Sequence, residues 1–187
     1  SRVGFDELLP VCAELLVMTR QQRAALGPMH EGRVDVIGGG AIVVQELAAA
    51  LQERAGLDEL TDGEWRRESY VKVFAEQVRG FEADLISISD GLAYPAVVAP
   101  VEYHRPLAVE EIRFIRERTR RRVKATLSAP YIIGRRMWHP EHSAAAYPTR
   151  ASFVWDCTSI LRDEIIALSR LGVDAVQLDD PLLPRLS

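Results

Sequence analysis

The 187 residues are 48% apolar, enough to bury a core, and fit one domain of ordinary size or part of a larger one. A formal net charge of −4 argues against a nucleic-acid surface and for a small-molecule or protein partner. No run approaches the roughly 18 apolar residues that span a bilayer, and no basic and apolar leader opens the chain. Cys12 and Cys157 lie far apart with no CxxC spacing, so a soluble protein of the reducing cytoplasm is expected.

Residues 6–26 place Leu8, Leu9, Cys12, Leu15, Leu16 and Met18 at helical spacing. Pro10, tolerated in a first turn, marks the start of one helix that Gly27-Pro28 closes. Residues 33–37 read equally as a short strand or, with Gly38-Gly39-Gly40 behind them, as the start of a flexible loop. The three glycines match neither phosphate-loop pattern. Ile42, Val43, Val44, Leu47, Ala48 and Leu51 recur every three or four residues and predict a helix ending at Gly56. Residues 57–61 then read as a short strand.

Next comes Thr61-Asp62-Gly63-Glu64-Trp65-Arg66-Arg67-Glu68-Ser69-Tyr70. It sets acids, a turn glycine, arginines, an aromatic and a hydroxyl where a strand gives way to a helix. That composition suits a polar-ligand site, because ligands of parallel α/β folds bind at the carboxyl ends of the strands. A capped helix start with exposed arginines is the alternative.

Residues 71–79 continue as a helix. Between Phe81 and Val101, alternation at 85–89 and 96–98 predicts a hairpin or excursion decorating the core. Residues 106–122 read as a helix whose arginines at 113, 116, 118, 120, 121 and 122 form a solvated face. Residues 123–127 are strand-like and end in Ser128-Ala129-Pro130-Tyr131. Residues 149–171 make the strongest helix, with Phe153, Ile160, Leu161, Ile165, Leu168 and Leu171 on one stripe and Gly172 as its stop. The apolar run 173–178 predicts a buried parallel strand ending in Asp179-Asp180-Pro181. Helix, glycine, strand and acidic end occur at 41–64 and again at 152–180, the mark of β/α units.

Three strand ends thus share one face: Asp62-Gly63-Glu64 with Arg66 and Arg67, Leu127–Pro130 with the following Arg135, Arg136 and Trp138, and Gln177–Pro181. In a closed barrel they line one mouth, where carboxylates grip an amino group, arginines bind carboxylates in pairs of bonds, and a tryptophan stacks a flat heterocycle. Of the histidines, His139 and His142 fall on an expected loop and His30 and His104 are isolated. None has the local ligand pairing of a closed zinc site, and no metal ligand or catalytic residue is assigned.

In order and spacing, the Thr61–Tyr70 stretch, Lys124-Ala125-Thr126-Leu127-Ser128-Ala129-Pro130-Tyr131, Leu161-Arg162-Asp163-Glu164-Ile165 and Gln177-Leu178-Asp179-Asp180-Pro181 resemble the cobalamin-independent methionine synthase family. The resemblance runs from about Leu47 to Leu183. Val3-Gly4 stands where that family usually has a His-Val-Gly-Ser loop, but Arg2 and Phe5 replace its His and Ser.

The resemblance implies an α/β fold, a (β/α)8 TIM-type barrel, and methyl transfer from a methylated folate to a thiol such as homocysteine held by zinc. By position, Glu64 and Asp179 are the expected carboxylates for the amino-acid substrate, and Trp138 lies near a folate-stacking tryptophan. Asp62, Arg66, Arg67, Ser69 and Tyr70 join the substrate-binding set by proximity. The family's zinc ligands lie beyond the Gln-x-Asp-Asp-Pro strand, so they are expected outside this sequence.

On this reading residues 1–187 are one domain, the N-terminal part of a barrel: a divergent segment 1–40 followed by β/α units at 41–187. A completing C-terminal segment, a second subunit or self-association is expected, with no nucleic acid and no membrane. The alternatives are a non-catalytic, degenerate barrel serving as a binding or scaffold subunit, or a related zinc-dependent thiol alkyltransferase.

Overall fold

The computed structural model describes residues 45–89 and 91–181. The expected helix at 6–26, the segment 33–40, Val3-Gly4, Cys12 and His30 lie outside the described residues.

Residues 45–54 form helix α1, which stops at Gly56 in the left-handed conformation (φ 77°). Strand β1 (Glu59–Leu60) leads into the Thr61–Tyr70 stretch. Helix α2 (Lys72–Gln77) passes directly into a long antiparallel hairpin, β2 (Val78–Ser89) and β3 (Leu92–Tyr103). Helix α3 (Val109–Arg116) then returns the chain to β4 (Arg122–Ser128). Two short helices, α4 (Pro130–Met137) and α5 (Pro140–Ser143), precede the 21-residue α6 (Arg150–Arg170) and strand β5 (Ala175–Asp179).

The three sheet strands are parallel in the order β1-β4-β5, with β4 in the middle. Every crossover between them carries helices, as parallel pairing requires. The hairpin, expected over 81–101, is longer than the alternation suggested and forms its own two-stranded sheet. Gly80 makes its first bend. At φ 111° a Cβ there would lie 2.8 Å from the carbonyl of Ala99, so only glycine fits.

Side chains alternate along β4. Val123, Ala125 and Leu127 join the core with Ile112 and Ile115 of α3 and Leu168 of α6. Thr126 and Ser128 point the other way. The β4–β5 register sets Gln177 beside Thr126 and Asp179 beside Ser128, so these four polar residues share one face at the carboxyl end of the sheet.

Helix α6 starts as expected at Thr149, whose hydroxyl accepts the amide of Ser152 in a capping box (3.1 Å), and Gly172 (φ 75°) ends it. Its core-facing stripe, Phe153, Cys157, Ile160, Leu161 and Leu168, also carries a fully buried carboxylate, Glu164. That carboxylate accepts the backbone amides of Leu107, Ala108 and Val109 at 3.0, 2.7 and 3.0 Å and the hydroxyl of Tyr103 at 2.9 Å. Glu164 therefore caps the start of α3 from across the core, satisfying amides that have no partner within the helix.

One expectation is corrected. Strand β5 is not buried: Gln177 and Leu178 are exposed, Leu178 by 47%. Its apolar run is that of a strand with neighbours on both sides, yet among the described residues only β4 pairs with it.

Candidate functional site at the carboxyl end of the sheet

Residues 61–70 are held before they hold anything. The side-chain amide of Gln52 on α1 donates to the carbonyl of Thr61 (2.9 Å) and accepts its amide (3.0 Å), supplying the ladder partner that a two-residue strand lacks. Gly63 turns at φ 67°, and Glu64 follows at φ 56°. A left-handed glutamate is uncommon and costs about 1–2 kcal/mol, and such strain gathers at functional sites.

The Glu64 carboxylate leans on β4. Its Oε1 accepts the Thr126 hydroxyl at 2.6 Å and lies 3.4 Å from Nη1 of Arg67. Arg67 is buried. Its stronger partners are Glu111 on α3 (Nε to Oε2, 2.9 Å) and the carbonyl of Thr126 (Nη1, 2.9 Å). Buried Asp62 approaches its Nη2 at 3.9 Å, too far for a hydrogen bond. Three carboxylates thus surround one guanidinium.

Burial works against the charge on Arg67, but Glu111, Asp62 and Glu64 outweigh it and raise the pKa. The same burial pushes Glu111 up to about 7. Arg67 pulls it back, while Asp62 pushes it further up, by repulsion and by accepting a hydrogen bond from its protonated form.

Asp179 lies on the opposite flank of β4, at the end of β5 and in register with Ser128. Its carboxylate accepts the Gln177 amide at 2.6 Å, and its backbone carbonyl accepts the amide of Ala129 at 3.0 Å. Glu64, reached through Thr126, and Asp179, beside Ser128, therefore bracket the end of the central strand. The two positions on β4 are about 7 Å apart.

The other expected residues are less gathered. Ser69 sits at the start of α2, its hydroxyl accepting the Lys72 amide at 3.5 Å. Tyr70 packs on the core, and its carbonyl accepts the Ser128 hydroxyl at 2.6 Å. Arg66 turns to α3, its guanidinium 5.1 Å from the Phe114 ring centre. Trp138 is half-buried just past α4 and spends its indole N–H on the carbonyl of Tyr147 (3.0 Å), which leaves only its ring for stacking.

Sequence reasoning gave no role to Thr126 and missed Glu111. The polar alternation Thr126-x-Ser128 was the readable signal for the first. Glu111 looks like an ordinary first-turn acid of α3, and only the fold brings it against Arg67.

The family model for the cobalamin-independent synthase catalytic domain matches residues 19–186. This chain belongs to the cobalamin-independent methionine synthase family. Methionine synthases of Saccharolobus solfataricus and Pyrococcus furiosus are 32% and 33% identical to it over 134 and 135 residues, 70% of this chain. The chain spans 39% and 38% of their lengths.

Among solved structures, a B12-independent methionine synthase from Shewanella sp. W3-18-1 in complex with selenomethionine superimposes with a TM-score of 0.69 at 28% identity. It covers 76% of this chain, which spans 42% of that one. The fold is accordingly α/β, part of a TIM-type barrel. A shorter likeness, 67% identity over 64 residues, links the chain to exopolyphosphatase 2 of Mycobacterium tuberculosis, of which it spans 20%.

Membership of this family raises the question of a metal. Among the described residues, His139, Glu141 and His142 bring ligand atoms within 4.8 Å of one another, whereas the sequence placed His139 and His142 on a loop and assigned them no metal. The arrangement does not fit zinc as it stands. Nδ1 of His139 accepts the Glu141 amide at 3.2 Å as the cap of α5, which puts the proton of the neutral ring on Nε2. The two imidazoles are stacked 4.6 Å apart at 24°, so their in-plane lone pairs lie in two separate, nearly parallel planes, a poor start for a shared tetrahedral ion.

Proposed function

We propose that this chain supplies the amino-acid-binding part of a methionine-synthase-like methyltransferase, which moves a methyl group from a methylated folate to a thiol such as homocysteine. The observation that carries this reading is the pair Glu64 and Asp179 at the end of β4, within a chain of the cobalamin-independent synthase family. Two carboxylates on either side of one strand end suit the ammonium of an amino acid, because charge-assisted hydrogen bonds to both fix its orientation. The ring of half-buried Trp138, whose N–H is already spent on the Tyr147 carbonyl, is the candidate stacking surface for the folate.

Zinc, on this reading, activates the thiol: a metal-bound thiol is deprotonated near neutral pH. Its ligands would come from residues other than His139, Glu141 and His142. The exposed outer edge of β5 supports a completing partner, whether a C-terminal segment, a second subunit or another copy of the chain. Among the described residues no helix is long and apolar enough to cross a membrane. The exopolyphosphatase likeness covers too little of that protein to bring its activity here.

The test is methyl transfer to homocysteine from a methylfolate by the chain combined with zinc and the C-terminal part of a related synthase. Turnover that disappears in Glu64→Ala is the expected result. No turnover with any folate and thiol pair would end the methyltransferase reading.

A further inference from the structure

We propose that Glu111 on α3 is a positioning residue for the site: by holding Arg67 it keeps that guanidinium from neutralising Glu64, and so leaves the Glu64 carboxylate free to bind an ammonium group. The inference rests on the amino-acid-binding reading above and adds a residue from outside the Thr61–Tyr70 stretch.

The geometry carries it. Arg67 stands between two carboxylates at unequal distances, 2.9 Å to Glu111 and 3.4 Å to Glu64. Its Nη1 is also held by the Thr126 carbonyl at 2.9 Å. Its best charge-assisted bond therefore goes to Glu111, and its contact with Glu64 is secondary. Glu64 meets the Thr126 hydroxyl and Arg67 through the same oxygen, Oε1, and no described residue hydrogen-bonds its Oε2. Oε1 is fixed and Oε2 is presented.

The cluster is also short of positive charge. Asp62, Glu64 and Glu111 share one buried arginine, and Oδ2 of Asp62 is buried without a hydrogen-bond partner. A buried carboxylate oxygen left unpaired is costly, and a proton on Glu111 relieves it. The groups facing Glu111 are Arg67 and Asp62 from the loop after β1, with Glu64 meeting the same Arg67. Arg66, Glu76 of α2 and Arg105 line the cleft of about 290 Å³ beside it. When Glu111 carries the proton, its hold on Arg67 weakens and the guanidinium closes on Glu64. When Glu111 is ionised, Arg67 is drawn back and the site gains a negative charge. Ammonium binding should strengthen as pH rises through the titration of Glu111, near 7.

The experiment is calorimetric titration of the 187-residue chain with L-methionine from about pH 6 to about pH 8. Wild type should bind more tightly at the upper end by about fivefold to tenfold. Glu111→Gln should bind weakly throughout and lose this dependence, and the comparison cancels any titration of the ligand itself. A thioether acid without the amino group should show no such step in either protein.

Equal affinity and equal pH dependence in wild type and Glu111→Gln would overturn the positioning role while leaving the amino-acid site standing. Failure of wild type to bind methionine or homocysteine at all would overturn both. Should Glu111→Gln not fold, Glu111→Asp decides: it keeps the carboxylate but shortens its reach to Arg67, so binding should weaken at every pH, and unchanged affinity with unchanged pH dependence would overturn the proposal equally.

Discussion

At the scale of single residues, the site is a problem of buried charge. Arg67 is nearly inaccessible and makes its closest ion pair with a residue 44 positions away. Glu111 bears the cost of that crowding, and its pKa rises from an ordinary 4.5 to about 7, first because it is buried. A raised carboxyl pKa means that the folded state binds the proton more tightly than the unfolded chain. The stability this group contributes is therefore full below about pH 4.5, falls as pH rises, and is lost above about pH 7. Urea denaturation of wild type and Glu111→Gln should show a difference that changes between about pH 4.5 and about pH 7 in that direction. A difference independent of pH would mean that Glu111 does not titrate in the folded protein.

At the scale of elements, Glu164 does what sequence inspection would not assign to it. It stands on the core-facing stripe of α6, between Leu161 and Leu168, where a charge would ordinarily be excluded. Its role becomes visible only when the amides of residues 107–109, more than fifty positions earlier, arrive at the same place. Removing it leaves three amides and the Tyr103 hydroxyl without a partner. Glu164→Ala should therefore destabilise the chain by about 3–5 kcal/mol, more than the loss of an exposed ion pair by several-fold. Glu164→Gln, which keeps an acceptor oxygen, should cost about 1–3 kcal/mol. Chemical denaturation measures both, and a cost below about 1 kcal/mol for Glu164→Ala would contradict the cap.

The same scale separates what the sequence could disclose. Helix α6 was legible because its apolar period, Thr149 cap and Gly172 stop all agree. The carboxyl-end face was legible because Asp62–Glu64 follows one short strand and Asp179-Asp180 closes another. The reading of 106–122 as one helix overran, since α3 ends at Arg116 and the chain then turns through Thr119, whose hydroxyl bonds Glu53. Arginines keep a helical pattern going on paper without supplying the apolar contacts that sustain a helix. Glu111 and Glu164 were illegible because each acts on groups brought near only by the tertiary fold.

At the scale of the whole molecule, the parallel sheet presents β5 as an edge, with Leu178 half exposed and no strand beyond it among the described residues. The hairpin adds another apolar surface, Ile88 and Leu92, with Ile88 74% exposed. An open edge and exposed apolar side chains favour association. Sedimentation of the purified chain should show species larger than a monomer, and Leu178→Lys should shift them toward monomer. A wild-type chain that stays monomeric at high concentration would show that this edge needs no cover.

The left-handed backbone at Glu64 has a consequence that can be read as a ledger between folding and recognition. At φ 56° the position is better suited to glycine than to any residue bearing a carboxylate. Glu64→Gly and Glu64→Ala both delete the acid, but only glycine relieves the backbone. The glycine variant should therefore be more stable than the alanine variant by about 1 kcal/mol in thermal or urea unfolding. That gap measures the stability forgone in order to keep an acid at the mouth of the sheet.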